Sequence, residues 1–332
     1  MNITAAQVNE LRQMTGAGMM DCKKALVECN GDKQAAIDFL RKKGQKIAEK
    51  RADHDAAEGC VLSKVTADHA FGAVVMLNCE TDFVAATEDF VNRTKAILDY
   101  AIENKIADKD ALMAGTMEGR PMAEYITELT GKTGEKVQIG KYFAINAAYV
   151  TNYNHPGNRR ACIVGMNKTF GNVEEIAHEV ALQITAMSPI AIDENDVPQE
   201  IKDRELAIAI EKTKEEQISK AVESAVRKAG LNPNHFDSED HIESNKAKGW
   251  ISDEDIAKFR EVKEKTSAEK LATLPEAMIQ NIAKGRMAKF YKTNTLLNQD
   301  SLIFEGHSVK EYITNADKAA TVVAFNRVEL GA

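Results

Sequence analysis

The sequence lacks the residue patterns that disulfide frameworks, zinc centres and membrane spans require. It holds five cysteines in 332 residues, none of them spaced as Cys-x-x-Cys, so we predict neither a disulfide framework nor a zinc site. No run approaches the ~18 consecutive apolar residues of a transmembrane helix, and the first residues lack the charged and apolar regions of a signal peptide. We therefore expect a cytoplasmic protein with reduced thiols, no metal, no cofactor and no membrane partner.

The charge balance narrows the classes of function further. There are 43 Lys and Arg residues against 51 Asp and Glu residues, which gives a net charge of -8. This acidic excess argues against a nucleic-acid partner, since nucleic acids attract basic surfaces. With 44% hydrophobic and 28% charged residues, the chain has the composition of an ordinary globular protein, and its length suggests about two domains.

Two short motifs resemble parts of catalytic sites but are incomplete. The Gly-Lys-Thr run at 131–133 resembles the end of a phosphate-binding loop, yet Ile126 stands where that loop needs a glycine. His178 begins a zinc-protease motif, but Leu182 stands where the second histidine ligand is needed. We therefore predict a turn at 131–133, no catalytic residue and no enzymatic activity. A nucleotide-binding enzyme that uses Lys132 is the alternative.

The first 45 residues predict three short helices that share one small core. Thr4 and Gln7 form a capping-box pattern, and Asp32 is placed to cap a third helix that ends at Gly44. Helices this short are not stable alone, so their apolar faces must meet in one bundle. Residues 46–58 are charged and lack an apolar stripe, so we predict a linker there. The apolar residues of the first helix recur at helical spacing: Val8, Leu11 and Met14.

After this module, strands followed by an amphipathic helix occur twice. Four runs of β-branched and apolar residues predict strands, at 60–66, 71–78, 142–149 and 160–166. A helix with a continuous apolar face follows each pair, near 90–102 and 173–184. We predict an α+β fold with two related subdomains and antiparallel sheets, one subdomain over 59–136 and the other over 137–332.

Within the second subdomain, residues from about 200 to 270 predict a protruding antiparallel helical hairpin. Two charged helical stretches flank a polar stretch over 231–250, which we predict to be a loop in which Trp250 packs locally. Such a hairpin offers a contact for a homodimer. After it, we predict a short strand at 302–304 and a final strand at 321–330.

Four stretches, spread in order along almost the whole chain, carry a family resemblance. They are LRQMTGAGMMDCKKAL at 11–26, NCETDFVA at 78–85, GR followed by KFY within 285–291, and FNRVELG at 325–331. In these stretches the chain resembles the translation elongation factor Ts family. The resemblance implies an N-terminal module over 1–45 similar to a ubiquitin-associated (UBA) domain, followed by an α+β core from which a helical hairpin projects.

The resemblance also implies a function, that of a guanine-nucleotide exchange factor for elongation factor Tu in its GDP-bound and nucleotide-free forms. Thr81, Asp82, Phe83 and Val84 match the element that disturbs the magnesium and phosphate site of Tu and so releases GDP. Since the preceding strand ends at Cys79, we expect Phe83 at the surface. The alternative for Phe83 is a core position under the β-hairpin formed by the strands at 60–66 and 71–78. Asp82 is a candidate cap of the following helix.

Two further groups of contact residues are implied by position. Arg12, Met19 and Met20 match the residues that dock the N-terminal module on Tu. Because Met19 and Met20 are adjacent on a helix, we expect only one of them to face the bundle centre. Gln183 stands where the family often has a histidine, and we expect a polar partner contact there. The alternative function is a protein-binding adaptor that uses the UBA-like module without exchange activity.

Overall fold

The computed structural model describes residues 3–331 of the chain. They divide into two compact units: the first unit comprises the residues up to Ile192 and those from Asp300 onward, and the second unit comprises Asp193–Gln299. Helices and small antiparallel sheets occur together, which confirms the predicted α+β class. Within residues 3–331, no helix has both the length and the apolar character needed to cross a bilayer.

Three helices open the first unit: α1 (Ala5–Thr15), α2 (Met19–Glu28) and α3 (Lys33–Lys50). Both predicted caps are confirmed, because Thr4 and Gln7 form a reciprocal capping box and the Asp32 side chain accepts from the Ala35 N–H. The bundle has a small common core, as expected for short helices that cannot stand alone. Its buried residues are Val8, Leu11, Cys22, Ala25, Leu26 and Ala36.

The first sheet lies after these helices and has the strand order β1-β2-β5. Its central strand β2 is buried at every position, because β1 and β5 pair with its two edges, α5 packs on one face, and strands of the second sheet, described below, pack on the other. The elements of this part of the chain are β1 (Glu58–Val65), β2 (Phe71–Cys79), α4 (Asp82–Ala85), α5 (Glu88–Glu103), α6 (Lys109–Met113), β3 (Thr116–Met117), β4 (Arg120–Pro121), α7 (Met122–Thr133) and β5 (Gln138–Asn146).

The prediction of a strand over 142–149 that pairs with the strand at 160–166 was wrong. The observed β5 ends at Asn146 and pairs Tyr142 with Val75, so it completes the first sheet. The strand that pairs with β7 (Arg160–Met166) is β6 (Tyr149–Asn154). The reason is that β2 is buried along its whole length, so its backbone N–H and C=O groups need a partner on both edges, and a local pattern does not show which strand supplies the second one.

The prediction that the third helix ends at Gly44 was also wrong, since α3 continues to Lys50. Gly44 is buried at a close crossing of α3 with α7. A Cβ added to Gly131 of α7 would lie only 2.7 Å from the Gly44 Cα. Both glycines therefore serve the approach of two helices, and packing outweighs the usual helix-ending preference of glycine. The run 131–133 is accordingly part of a helix, and the predicted turn was wrong as well.

The second unit is helical. After α8 (Val173–Met187) of the first unit, it contains α9 (Gln199–Lys228), α10 (Glu239–Ala247), α11 (Asp253–Thr273) and α12 (Glu276–Asn294). The two charged helices predicted here are present, and α9 packs against both α11 and α12. The loop predicted over 231–250 was wrong, because it contains α10 and a 3₁₀ turn at Pro233–His235. These are held by a small apolar core of Val226, Phe236, Ile242, Ile251 and Phe259.

The chain returns to the first unit with α13 (Val309–Ala316) and β8 (Val322–Glu329). The final strand is confirmed: β8 pairs with β7, and the second sheet has the order β6-β7-β8. The strand predicted at 302–304 was wrong, because only an isolated bridge between Asp300 and Ser308 forms there. Ser308 instead caps α13 in a reciprocal capping box.

Candidate partner-binding site

The predicted intruding element is a single helical turn at the end of β2. Cys79 is the last residue of β2, and Thr81 caps α4 by accepting the Val84 N–H with its hydroxyl group. The cap is therefore Thr81, whereas Asp82 is the first residue of the turn, where its negative charge is favourable. The sequence Thr-Asp-Phe-Val thus forms a compact turn that begins where the sheet ends.

Phe83 points away from the core. Its side chain is 83% exposed, so the alternative that it lies under the hairpin was wrong. The neighbouring Val84 and Ala85 are partly buried and pack on the apolar core of the first sheet. One side of the turn is thus attached to the core, and the other presents an aromatic ring to solvent, where an apolar surface of this size is unfavourable without a partner.

The backbone before α4 is held by the carboxylate of Glu135. Its Oε2 accepts the Glu80 N–H at 3.2 Å and the Thr81 N–H at 3.0 Å, and its Oε1 accepts the Thr81 hydroxyl at 2.7 Å. Below them, the Cys79 thiol donates to the Thr81 carbonyl at 3.2 Å. Burial, with a further contribution from Glu135, raises the pKa of Cys79 to about 12, so this thiol keeps its proton.

A second carboxylate, that of Glu80, makes the reciprocal contact. Its Oε1 accepts the Lys136 N–H at 2.6 Å, while its Oε2 lies 2.6 Å from an Arg51 guanidinium nitrogen and 3.0 Å from His54 Nδ1. Burial alone would raise the pKa of Glu80, but the hydrogen bonds from Lys136, Arg51 and His54 lower it to about 2. We call Glu80 and Glu135 together the carboxylate clasp. Sequence reasoning missed it, because its two residues are separated by 55 positions.

The residues predicted to dock the N-terminal module lie on its surface. Arg12 is exposed, and Met19 and Met20 are 50% and 74% exposed. The expectation that one methionine faces the bundle was wrong, because Cys22, Ala25 and Leu26 fill the inner positions of α2. Met14 is a further exposed methionine, at 59%, although its spacing had placed it with the inner residues of α1.

These two groups of predicted residues lie on different elements of the first unit. Besides the crossing of α3 with α7, they are linked through Arg51, which is the C-cap residue of α3 and bonds Glu80 directly before the intruding turn. Lys136 strengthens this link, because its ammonium donates to the carbonyl groups of Ala52 and His54 at 2.6 and 2.8 Å. The N-terminal helices are thus hydrogen-bonded to the base of the turn.

Gln183, unlike Phe83 and the predicted residues of the N-terminal module, is buried. It lies on α8 and is only 3% exposed. Its Nε2 donates to the Asp300 carbonyl at 3.2 Å, and its Oε1 accepts the Leu302 N–H at 3.0 Å. These bonds hold a segment in which Leu302 and Ile303 are more than half exposed. A direct partner contact of Gln183 stays a prediction.

The two incomplete catalytic motifs lie on helices, where Lys132 and His178 contact neighbouring side chains. Lys132 lies in the last turn of α7 and forms an ion pair with Asp89 at 2.9 Å. His178 lies on α8, where its ring makes an edge contact with Tyr153 at 6.0 Å between centroids. Among residues 3–331, the histidine, cysteine and acidic side chains form no group of three or more that is suited to hold a metal ion.

Comparison with known proteins gives consistent similarities along the chain. A family profile described as Elongation factor TS matches residues 80–235 and 238–332. Elongation factor Ts of Phocaeicola vulgatus is 50% identical over 333 aligned residues, which cover all of both chains. The protein of the same name from Parabacteroides distasonis is also 50% identical over the full length of both, and that of Porphyromonas gingivalis is 36% identical over the full length of both.

Proposed function

Because the chain belongs to the elongation factor Ts family, we propose that it is a guanine-nucleotide exchange factor for elongation factor Tu in translation elongation. It binds Tu carrying GDP and promotes release of the nucleotide in the cytoplasm. The protein is not an enzyme in this scheme, because neither partner is chemically altered. The observation that supports the proposal most directly is Phe83, an aromatic ring 83% exposed on a turn whose backbone is held in place.

In the proposed mechanism, the turn of Thr81, Asp82, Phe83 and Val84 enters Tu beside its magnesium and phosphate site. Burying an exposed phenylalanine contributes about 1.5–3 kcal/mol, or roughly a ten- to hundredfold change in an equilibrium constant. The carboxylate of Asp82 adds negative charge close to groups that hold a cation and a phosphate. The turn thereby stabilises a form of Tu that grips magnesium and GDP weakly.

The remaining binding free energy comes from a wider surface. Arg12, Met19 and Met20 dock the N-terminal module on the nucleotide-binding domain of Tu, where flexible methionine side chains adapt to the partner. Gln183 makes a polar contact with Tu in this proposal, and it also holds the segment with Leu302 and Ile303 against α8. Coupling is reciprocal: to the extent that the exchange factor weakens GDP binding, GDP weakens the binding of the exchange factor.

The direct test is the release of a fluorescent GDP analogue from Tu of the same organism. We expect the full-length chain to accelerate release at catalytic concentrations and to co-purify with Tu more strongly when GDP is absent. Binding to Tu without faster release would instead support an adaptor that uses only its N-terminal module. Titration of the chain with ATP or GTP tests the alternative based on Lys132, and we expect no binding. Sedimentation of the chain alone tests the predicted homodimer.

A further inference from the structure

We propose that Glu135 is a positioning residue for nucleotide exchange, and this inference rests on the proposed function. Its carboxylate holds the turn from Thr81 to Val84 in the orientation that projects Phe83 from the protein. Glu135 does not itself need to touch the partner. Its role is to order the backbone of the turn before Tu is met.

The hydrogen bonds of Glu135 satisfy backbone donors just beyond the end of β2. Where β2 ends at Cys79, the next backbone N–H groups leave the ladder of the sheet, and partly buried N–H groups need another acceptor. One carboxylate accepts both of these groups, at Glu80 and Thr81, together with the Thr81 hydroxyl. Hydrogen bonds to an ionised acceptor are stronger than those between neutral groups.

The Thr81 hydroxyl connects Glu135 to the helical turn itself. It donates to Glu135 Oε1 at 2.7 Å and accepts the Val84 N–H at 3.4 Å. Because the hydroxyl proton is directed to Glu135, a lone pair is left free for the cap. Glu135 thus orients the cap of α4, and α4 carries Phe83.

Glu135 is itself held by rigid elements on both sides. Gly134 ends α7 with a left-handed backbone at φ 76°, and the Glu135 N–H donates to the Thr133 hydroxyl at 3.2 Å. On the other side, the Lys136 N–H donates to Glu80 at 2.6 Å, just before β5 begins. The segment after β2 and the segment before β5 therefore each supply a carboxylate that accepts backbone N–H groups of the other, and both side chains are held in place.

Loss of the Glu135 carboxylate should loosen the turn while leaving the core in place. Val84 and Ala85 still pack on the core of the first sheet, but the backbone before them loses two hydrogen bonds and the Thr81 hydroxyl loses one. Phe83 then samples several orientations, and ordering it on binding opposes exchange. We expect Glu135→Ala to slow stimulated GDP release about tenfold, and Glu135→Gln, which keeps one acceptor oxygen and the side-chain volume, to slow it less.

A double-mutant cycle separates positioning from a general structural role. The variants are Glu135→Ala, Phe83→Ala and the two combined, and the matched control is Glu124→Ala, an exposed carboxylate on α7. If Glu135 acts through Phe83, the combined variant releases GDP no more slowly than Phe83→Ala alone, because the ring through which Glu135 acts is already absent. Thermal melting of each variant is followed in parallel, and Glu124→Ala should keep the wild-type rate.

Two results would overturn the inference: a wild-type rate in Glu135→Ala, or losses that multiply in the combined variant. If Glu135→Ala does not fold, the same cycle is run with Glu135→Gln, whose smaller loss must vanish when Phe83 is already replaced. The proposed function fails separately, namely when the wild-type chain does not accelerate GDP release at all.

Discussion

Phe83 in the first unit and Trp250 in the second unit are both exposed aromatic residues, but their surroundings differ. Phe83 is 83% exposed and Trp250 is 61% exposed. The Trp250 ring has neighbours in its own unit, since its centroid lies 5.9 Å from the ring of His235 and 5.0 Å from the ammonium of Lys248. Phe83 instead projects from a turn whose backbone is fixed by the carboxylate clasp.

Exposure alone therefore does not identify a contact residue. The exposed ring of Trp250 is accounted for by local packing, because a cation over an indole and a second ring beside it are favourable in themselves. The position of Phe83 combines an exposed apolar ring with an ordered backbone. A backbone that is already ordered loses less conformational entropy on binding. This favours insertion of the ring into a partner in one orientation.

The largest effect is expected from the matched pair Phe83→Ala and Trp250→Ala. Replacing Phe83 should slow stimulated GDP release about ten- to hundredfold, since the apolar burial in the partner is lost. Replacing Trp250 should leave release unchanged. Both rates are measured with the same fluorescent nucleotide and the same Tu, and melting curves check that each variant is folded. Equal losses in the two variants would contradict the distinction between the two rings.

A second pair compares helical glycines of the two units. A Cβ on Gly131 would meet the backbone of Gly44 at 2.7 Å, whereas a Cβ on Gly285 of α12 would meet nothing within 4 Å. Gly131→Ala should therefore lower the free energy of unfolding by about 1–3 kcal/mol, and Gly285→Ala should raise it by up to about 1 kcal/mol through helix propensity. Urea denaturation measures both, and changes of the same sign would argue against a close crossing of α3 and α7.

The same comparisons separate the features that the sequence could predict from those that it could not. Helix caps at Thr4 and Asp32 depend on residues three positions apart, so the local pattern was sufficient to predict them. The surface position of Phe83 followed from the end of its strand. The continuation of α3 through Gly44 depends on Gly131, far along the chain. Such contacts, like those of the second edge of β2 and of the carboxylate clasp, are set by tertiary packing, and no local signal reports them.

A third pair compares acidic residues with lowered pKa values. The side chain of Glu80 is 14% exposed. Its burial raises the pKa, but hydrogen bonds from Lys136, Arg51 and His54 outweigh that effect and lower the pKa from 4.5 to about 2. Glu216 in the second unit, 54% exposed, has its pKa lowered by a hydrogen bond from Arg286. Solvent screens the second interaction far more than the first.

The sign of the pH effect follows from the depressed pKa of the folded state. The stability that Glu80 contributes is present above about pH 4.5 and is lost as the pH falls towards 2. As the pH falls over this range, the wild type should lose about 1–2 kcal/mol more of its free energy of unfolding than Glu80→Gln does. Glu216→Gln should follow the wild-type curve closely. Urea midpoints at several pH values decide, and parallel curves for wild type and Glu80→Gln would refute a charged clasp.

The smallest effect is expected within α2, where the contrast concerns two exposed apolar residues of one helix. Met20 is 74% exposed and Val27 is 53% exposed, but only Met20 lies in the run 11–26 that carries the family resemblance. Most residues of an interface contribute less than about 1 kcal/mol each, so Met20→Ala should weaken binding to nucleotide-free Tu about three- to fivefold. Val27→Ala should leave the dissociation constant unchanged in the same titration calorimetry. If Val27→Ala weakened the binding more than Met20→Ala does, the docking face would lie at the other end of α2, away from Met19. The N-terminal module would then bind Tu in a different orientation.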